Sequence, residues 1–402
     1  MSPERLLIED FRKALAGVAS VLGVGLIAID EAHCVSEWGH DFRPAYLLTG
    51  RLARQLCAPN QGSAPPLLAL TGTASRAVLK DVQRELAIQE FEAVITPKTF
   101  DRPELRFKVI ACPSSGKDAV LSSLLSQYAG RLRQVAPGSH AADGSESVTG
   151  LVFFPHVNGQ FGAAQGLETI RKATGAAVGL YTGAAPRGYP EKSWDRHKRE
   201  TARRFKRNEL AVLACTTAFG MGIDKPNIRF TVHTNLPRSI EGFYQEAGRA
   251  GRGNVKGKDG PRLNAQCVLL VSDDWQEQTR QLLNPDLPSD EVYRRLDAIE
   301  RNQQGDVERQ FFFHRQAYGG REGDLRNAIE LLGKLGDLDK PRIVDVPYGP
   351  SEHDRERTEK AAYRLMAAGV LSDYTHRYEH RILALRITQK DMDGMIAQLE
   401  GY

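Results

Sequence analysis

The chain has 402 residues, 41% of them hydrophobic, with 54 Lys and Arg against 50 Asp and Glu and a formal net charge of +4. This predicts two to three domains with real cores, and the mild positive charge permits a nucleic-acid partner without demanding one. Five scattered cysteines without a Cys-x-x-Cys pair argue against a disulfide framework or zinc cluster and favour a reducing, cytoplasmic compartment. No apolar run approaches the ~18 residues of a membrane-spanning helix, so we expect a soluble protein with no membrane partner.

The first informative stretch is residues 21–29, which are almost wholly apolar and predict a parallel strand buried on both faces. The strand delivers Asp30 and Glu31 to its carboxyl end, the edge at which open α/β sheets bind nucleotides. Adjacent carboxylates there suit phosphoryl transfer, with Asp30 holding a magnesium ion through water and Glu31 orienting the attacking water. For an isolated acidic pair, a solvated strand end is an equally good interpretation.

The residues that follow this acidic pair favour the catalytic interpretation. Residues 30–44 read Asp-Glu-Ala-His-Cys-Val-Ser-Glu-Trp-Gly-His-Asp-Phe-Arg-Pro, which resembles the second helicase motif and aromatic-rich loop of the RecQ family of superfamily-two DNA helicases. The resemblance implies that Trp38, Phe42 and Arg43 contact DNA and couple it to ATP hydrolysis, and that His33 links the ATP site to the loop. Aromatic rings beside an Arg also suit stacking on bases, although composition alone favours core aromatics.

A glycine-rich phosphate loop with a Gly-Lys-Ser/Thr signature also belongs to this family, and none occurs in the 402 residues. Residues 2–6 resemble a family segment that lies shortly before the acidic strand, so we expect the chain to begin partway through the first lobe. The lookalike at residues 114–118, Ser-Ser-Gly-Lys-Asp, predicts only a polar loop and a helix start. We therefore expect little ATP hydrolysis by this chain alone. A second chain that supplies the missing segment and a non-catalytic DNA-binding or scaffolding subunit are the alternatives.

A second short buried strand is predicted at residues 67–70, and it ends in Thr-Gly-Thr-Ala-Ser. This run resembles the third helicase motif, which implies that Thr71 and Thr73 link the ATP site to DNA. Hydroxyl groups at this edge, beside the strand that ends at Asp30, could bond the acids or a backbone phosphate. Capping of a helix that begins near Ser75 explains Thr73 and Ser75 equally well.

The predicted fold class is α/β, with two RecA-like doubly wound parallel-sheet lobes, the first incomplete, and a mainly helical carboxyl-terminal region that could contain a winged helix. Residues 100–105 resemble the crossing between lobes, and strands alternate with helices beyond it. A basic helix at residues 194–207 could contact phosphate, but a solvated helix face is the better interpretation. The predicted domains are 1–104, 105–285 with a flexible loop at about 131–149, and 286–402.

A Gly-x-Gly segment follows the predicted strand that ends in Cys215. Gly220 and Gly222 permit close backbone approach to a phosphate or ribose, and Asp224 could accept a hydrogen bond from a ribose hydroxyl. Plain turn geometry is the better explanation of such a segment taken alone. The whole run resembles the fifth RecQ helicase motif, which implies that Thr216 and Thr217 touch the DNA backbone. Residues 216–227 read Thr-Thr-Ala-Phe-Gly-Met-Gly-Ile-Asp-Lys-Pro-Asn.

The third strong motif is Tyr-Gln-Glu-Ala-Gly-Arg-Ala-Gly-Arg-Gly at residues 244–253, which resembles the sixth helicase motif. We expect Arg249 and Arg252, three residues apart, to lie on the same side of a helix end or turn, so that both guanidinium groups can point into a cleft between lobes. The resemblance implies that Arg252 is an arginine finger, that Arg249 contacts the γ-phosphate and that Gln245 helps to place the water. An isolated Arg pair would be interpreted as a surface feature.

A typical RecQ protein carries a four-cysteine zinc subdomain after the motor, whereas Cys267 stands alone here, so we expect no zinc. Residues 351–368 predict a helix rich in Arg and Lys, and residues 374–387 predict a hairpin. This layout resembles a winged helix, although a packing domain without DNA contact is nearly as good an interpretation. The basic residues concerned are Arg357, Lys360 and Arg364 on the helix, with Arg377 and His380 at the wing.

The resemblance as a whole implies an ATP-dependent DNA helicase that translocates 3′ to 5′ on single-stranded DNA and acts at duplex junctions. Its cofactors would be ATP and Mg²⁺, and its processes DNA repair and recombination. ATP would bind between the lobes, and hydrolysis would release them to advance along one strand.

Overall fold

The computed structural model describes residues 1–36, 43–58, 64–72, 74–97, 99, 101–137, 147–219, 224–252, 264–300, 303–317, 320–338 and 340–388. The chain divides into two compact units, of which unit 1 comprises residues 1–96 and 317–402 and unit 2 comprises residues 97–316. Within the described ranges, no helix has the length and apolar content needed to cross a membrane.

The helices and strands are named here in chain order. The helices are α1 (Glu9–Leu22), α2 (Pro44–Cys57), α3 (Arg76–Glu85), α4 (Lys117–Ser126), α5 (Ala129–Arg133), α6 (Ala163–Thr174), α7 (Glu191–Lys206), α8 (Ile240–Ala247), α9 (Gln276–Leu282), α10 (Ser289–Asp297), α11 (Asp306–Ala317), α12 (Gly320–Leu335) and α13 (Glu352–Ala367). The strands are β1 (Ile27–Ile29), β2 (Leu67–Ala69), β3 (Leu105–Cys112), β4 (Thr149–Phe153), β5 (Val178–Tyr181), β6 (Val212–Cys215), β7 (Ile228–His233), β8 (Ala265–Ser272), β9 (Ile343–Pro347), β10 (Leu371–Arg377) and β11 (Ile382–Ile387).

Unit 2 is built on a six-stranded sheet in the order β3-β8-β7-β4-β6-β5, and every pairing in it is parallel. Successive strand residues point to opposite faces of the sheet, and each face packs in a separate apolar core. Val152 of β4 packs in a core with residues of α4, α5 and α6, whereas its neighbours Leu151 and Phe153 pack in another core with residues of α7 and α8. Helices therefore cover both faces, and the predicted doubly wound parallel sheet is confirmed.

Unit 1 contains a short parallel pair and an antiparallel sheet. β1 and β2 pair in parallel with Ile27 opposite Leu67, and Ile27 and Ile29 are buried in a core with residues of α2 and α3. β10, β11 and β9 form a three-stranded antiparallel sheet in that order. The helix and hairpin predicted near the carboxyl terminus are thus present as α13 and β10–β11, and β9 adds a third strand to the hairpin. The region remains mainly helical, as predicted, with α10, α11, α12 and α13.

The predicted accessory region 286–402 does not form a third compact unit. Its first part, with α10 and most of α11, belongs to unit 2, whereas its remainder belongs with residues 1–96. The reason is a shared apolar core, in which Leu6 and Leu47 pack in one cluster with Leu365 and Leu383. An ion pair between Arg12 and Asp373 adds a polar contact to this core.

The predicted domain boundary between residues 104 and 105, in the crossing segment 100–105, also differs, since the two compact units divide between residues 96 and 97. The residues just before β3 are held by unit 2. Arg102 pairs with Glu104, and the Glu104 carbonyl accepts a hydrogen bond of 2.8 Å from the Ala265 amide at the start of β8. The crossing segment is therefore an extension of the second sheet.

Three smaller predictions can be compared with the structure. The polar loop and helix start at residues 114–118 are confirmed as a short 3-10 turn, Ser114–Gly116, followed by α4. The loop predicted at about 131–149 is shorter, because α5 runs to Arg133 and β4 begins at Thr149, and residues 138–146 lie outside the described ranges. The basic helix is α7, in which Arg203 pairs with Glu200 and Lys198 with Asp195, as expected of a solvated face.

Candidate functional site

The predicted acidic site lies where β1 and β2 end. Asp30 follows β1 directly, and Thr71 follows β2 after one intervening residue. The ladder between the two strands continues beyond them, since the Leu70 amide donates to the Ile29 carbonyl and the Ala32 amide donates to the Leu70 carbonyl, both at 2.8 Å. This register places the second and third motif residues beside each other at one sheet edge.

The backbone of Glu31 adopts a left-handed conformation, with φ 52° and ψ 43°. Non-glycine residues in such regions cost of order 1–3 kcal/mol and cluster at functional sites. The Glu31 amide donates to Asp30 Oδ1 at 2.9 Å, so the Asp30 carboxylate is held against the backbone of this turn. Asp30 is exposed at this edge, as a carboxylate that binds a magnesium ion through water should be.

His33 is buried directly behind these acids. Its Nδ1 lies 3.0 Å from Thr71 Oγ1 and 3.4 Å from Glu31 Oε2. One imidazole therefore contacts both the acidic motif and the threonine motif, an arrangement compatible with the predicted linking role. The aromatic residues Trp38 and Phe42, and also Thr73, lie outside the described residues. Ser75 accepts a hydrogen bond of 3.3 Å from the Val78 amide, so for Ser75 the capping interpretation is confirmed.

Arg43 is the one predicted DNA-contacting residue of the aromatic-rich loop that the structure describes. Its amide donates to the Cys34 carbonyl at 3.1 Å. The residue also lines a cavity of about 260 Å³ together with Arg355 and several glutamates. Because neighbouring carboxylates disfavour a phosphate, this surrounding adds no support for DNA contact, and the role of Arg43 stays a prediction. The glutamates are Glu4, Glu352, Glu356 and Glu359.

In unit 2 the fifth and sixth motif residues lie side by side. Arg252 Nη1 is 3.9 Å from Asp224 Oδ1, with 39% of the arginine side chain and 82% of the aspartate side chain exposed. Arg252 Nε also donates to the Gly248 carbonyl at 3.2 Å, whereas Arg249 is buried. An exposed carboxylate beside an exposed guanidinium can bind the hydroxyl and phosphate groups of one ligand. Gly220 and Gly222 lie outside the described residues.

The segment after Asp224 is fixed by a buried lysine that sequence reasoning missed. Lys225 donates to Asn208 Oδ1, which also accepts from Asn227 Nδ2 at 3.1 Å, and the ammonium lies 5.1 Å from the centre of the Phe205 ring. Burial lowers the pKa of Lys225 to about 8. The only sequence signal was a lysine next to Asp224 in the motif.

Helix α8 carries Gln245, which is half-buried, and Glu246, which is buried. Glu246 Oε2 lies 2.9 Å from His233 Nε2, and His233 is the last residue of β7. This buried pair ties the sixth-motif helix to the carboxyl edge of the sheet. Sequence reasoning missed it because nothing local joins a strand-end histidine to a glutamate thirteen residues later.

The two threonines of the fifth motif differ in access. Thr216 is buried, and its amide donates to the Tyr181 carbonyl at 3.2 Å. Thr217 is exposed and lines a small cavity of about 50 Å³ with Arg238 and Phe313. Of the two predicted DNA contacts, the structure therefore leaves only the Thr217 side chain open to a ligand.

The acidic side chains of the site suit a magnesium ion that is bound together with a nucleotide, rather than a metal ion held by protein ligands alone. Among the described residues, no group of three or more His, Cys, Asp or Glu side chains is arranged to hold a metal ion. Magnesium in nucleotide sites needs only one or two carboxylates, because phosphates and water complete its shell, and Asp30 can supply one. The absence of zinc stays an expectation, and all five cysteines are buried and reduced.

Comparison with known proteins supports the resemblance to RecQ helicases independently of the site geometry. Residues 153–254 match the helicase conserved C-terminal domain, a segment that contains Asp224, Arg249 and Arg252. The chain is 36% identical over 272 residues to the ATP-dependent DNA helicase RecQ of Bacillus subtilis, covering 68% of this chain and 38% of that protein. The chain belongs to the RecQ family of superfamily-two helicases.

Two other RecQ-family relatives show how the match is distributed. The probable ATP-dependent DNA helicase RecS of Bacillus subtilis is 31% identical over 333 residues, 83% of this chain and 57% of that protein. The ATP-dependent DNA helicase Q1 of Pongo abelii is 34% identical over 243 residues, 60% of this chain and 31% of that protein. The chain therefore spans between about a third and somewhat over half of the length of these curated relatives.

Proposed function

We propose that this RecQ-family chain forms part of an ATP-dependent DNA helicase that translocates 3′ to 5′ on single-stranded DNA. The observation that carries the proposal is the pair Asp224 and Arg252, 3.9 Å apart within the segment that matches the helicase C-terminal domain. A carboxylate and a guanidinium on one edge of a parallel sheet suit the ribose and phosphate groups of a nucleotide.

The proposed roles in ATP hydrolysis follow from charge and position. Magnesium, when bound with ATP, would neutralise phosphate charge, and Asp30 would hold it through water. Glu31 would orient the attacking water, since its side chain projects from the strained turn after β1. Arg252 would leave Asp224 to stabilise charge on the transferred phosphoryl group. Arg249 would bind the γ-phosphate, and Gln245 would help to place the water.

The proposed coupling to DNA uses residues at the same strand ends. His33 contacts both Glu31 and Thr71. A displacement of Thr71 when DNA binds would therefore shift His33 and, through it, the Glu31 carboxylate. Thr217 would donate to the DNA backbone from the exposed loop after β6. Contacts from Trp38, Phe42, Arg43 and Thr73 remain part of the proposal through family resemblance, as do duplex junctions as substrates.

A non-catalytic DNA-binding or scaffolding subunit is the second candidate. It is favoured by one observation, that no Gly-Lys-Ser/Thr phosphate loop occurs in the 402 residues. For the same reason we propose that the chain alone hydrolyses ATP poorly and that another chain could supply such a segment. Robust DNA-stimulated ATP hydrolysis by the chain alone, abolished by Asp30→Ala, would contradict both the non-catalytic candidate and the proposal that the chain alone hydrolyses ATP poorly.

The nucleic-acid role can be tested with the purified chain. Fluorescence anisotropy would measure its affinity for a labelled dT20 strand between 50 and 200 mM salt. We expect log K to fall linearly with log salt by about 0.7 for each phosphate contacted, because binding releases counterions. A peptide nucleic acid of the same sequence, which has no phosphates, is the matched control. A flat salt response, or equal affinity for the uncharged strand, would contradict a DNA-binding role.

A further inference from the structure

Helix α11 follows the carboxyl edge of the six-stranded sheet in unit 2. Its first residue, Asp306, accepts a hydrogen bond of 2.8 Å from the Ser272 amide at the end of β8. One turn later Gln310 donates to the Leu236 carbonyl, beyond the end of β7. Phe313 lines the small cavity that contains Thr217, beyond the end of β6. The helix thus passes the strand ends in the order of the sheet.

A buried ion pair fixes the start of α11. Lys117, on α4, donates to both carboxylate oxygens of Asp306, at 2.8 and 2.6 Å, and to the Thr234 carbonyl at 2.8 Å. Burial lowers the pKa of Lys117, and the Asp306 carboxylate opposes that change. Removing one partner of such a pair would leave a buried charge uncompensated. The helix is therefore held rigidly against the strand ends.

Helix α11 carries an exposed aromatic ring and a half-buried arginine one turn before it. Phe312 is a large apolar residue with 45% of its surface exposed. Arg309, one helical turn earlier, lies on the same side, and its guanidinium is 5.1 Å from the centre of the Phe161 ring. Phe313 packs edge-on against Phe312 with ring centres 6.0 Å apart. An exposed ring three residues from an arginine on the same helix suits the binding of single strands, which combines stacking with phosphate contact.

Charge around this surface favours an anionic ligand. Arg238 is exposed on the loop after β7 and lines the same small cavity as Phe313 and Thr217. The carboxylates near α11 have partners: Asp306 pairs with Lys117, Glu246 with His233, and the exposed Asp297 with Arg315 of α11. Glu308 is buried and accepts a hydrogen bond from Thr279. Beside Phe312 these carboxylates therefore leave Arg238 and Arg309 as cations for an anionic strand.

We propose that α11 is a binding element for single-stranded DNA, in which the exposed Phe312 ring stacks on a base and Arg309 contacts a neighbouring phosphate. The inference rests on the proposed function and deepens it, because it adds to the Thr217 loop a surface that the helicase motifs do not include. Stacking tolerates any base, so the surface would serve translocation without sequence preference.

The test compares Phe312→Ala with Phe107→Ala in the full chain. Phe107 lies on edge strand β3 with 49% of its surface exposed, so the control removes an equally accessible ring elsewhere in unit 2. Loss of one stacked base corresponds to about a 5- to 150-fold weaker affinity for dT20. We expect that loss for Phe312→Ala, recovery with Phe312→Trp, and an unchanged affinity for Phe107→Ala.

A 20-mer of abasic residues separates stacking from charge. It keeps the phosphates, so Phe312→Ala should bind it as the parent chain does, whereas Arg309→Ala should bind both strands more weakly. We also expect Arg309→Ala to reduce the salt slope by about 0.7, because one phosphate contact is lost. Arg171→Ala is the charge control, since Arg171 is an exposed residue of α6 paired with Glu168.

Each outcome bears on a different proposal. If the parent chain binds dT20 and Phe312→Ala binds it equally well, α11 is not a DNA-binding element, although the proposed function survives. An equal loss of affinity for dT20 and the abasic strand in Phe312→Ala would also overturn the stacking role. If the parent chain does not bind dT20 at all, the proposed function itself fails.

Discussion

At the scale of single residues, Lys225 shows how burial converts a motif residue into a structural one. The lysine is buried beside neutral Asn208, and its pKa is lowered to about 8 from an ordinary 10.5. Between these pH values the unfolded chain keeps the proton and the folded chain releases it. The free energy of unfolding contributed by Lys225 therefore rises with pH from about 8 to about 10.5.

This dependence can be isolated with Lys225→Met, which removes the titrating group. We expect the free energy of unfolding of the parent chain, minus that of the variant, to increase between pH 7.5 and pH 10 in urea titrations. Lys172→Met, at an exposed position of α6, should give a difference that does not change with pH. A pH-independent difference for Lys225→Met would show that the buried lysine keeps an ordinary pKa.

Some features of the candidate site could be predicted from the sequence, and others are visible only in the structure. Asp30 and Glu31 could be placed from sequence, because they follow a buried strand directly. Arg249 and Arg252 were singled out through the resemblance, and both lie beyond the end of α8, with Arg249 buried and Arg252 partly exposed. The contact of His33 with Thr71 and the pairing of His233 with Glu246 could not be predicted, since each joins elements that are separate in sequence. The strained turn at Glu31 also carried no signal, because nothing in an Asp-Glu pair predicts a left-handed glutamate.

At the scale of elements, α13 begins with a capping box formed by Ser351 and Asp354, and substitution of Ser351 tests how much this box stabilises the helix. Ser351 Oγ accepts from the Asp354 amide at 3.1 Å, and Asp354 Oδ2 accepts from the Ser351 amide at 3.3 Å. We expect Ser351→Ala to lower the free energy of unfolding by about 1 kcal/mol. Ser20→Ala, inside α1 of the same unit, should change it by less than about 0.5 kcal/mol in the same urea titration. Equal effects would show that the cap does not stabilise α13.

Individual elements were more predictable than their assembly. The alternation of strands with helices after residue 105 identified the parallel sheet, because each parallel strand needs a crossover connection to the next. The placement of α13 with α1 and α2 could not be predicted, since an apolar stripe does not specify which distant surface it will cover. The position of α11 depends on the pair Lys117 and Asp306, whose 189-residue separation leaves no local pattern.

At the scale of the whole molecule, the proposed function requires two groups of residues to act in one ATP cycle. The acids of unit 1 and the arginines of unit 2 come from separate compact units. Their common membership in a RecQ-family chain is what unites them. We therefore propose that nucleotide binding and DNA binding are coupled through both groups of residues. Coupling free energies between two ligands are typically 1–3 kcal/mol, or about 5- to 150-fold in affinity.

The most direct measurement is the affinity of the full chain for labelled dT20 with and without a saturating Mg²⁺ complex of a non-hydrolysable ATP analogue. We expect the analogue to change that affinity about 5-fold or more. The change should disappear in Arg252→Ala and in Asp30→Asn but persist in Arg171→Ala, which removes one charge elsewhere. An affinity for DNA that the analogue leaves unchanged in the parent chain would contradict coupling of nucleotide and DNA binding through Asp30 and Arg252 of this chain, and would favour a non-catalytic DNA-binding subunit.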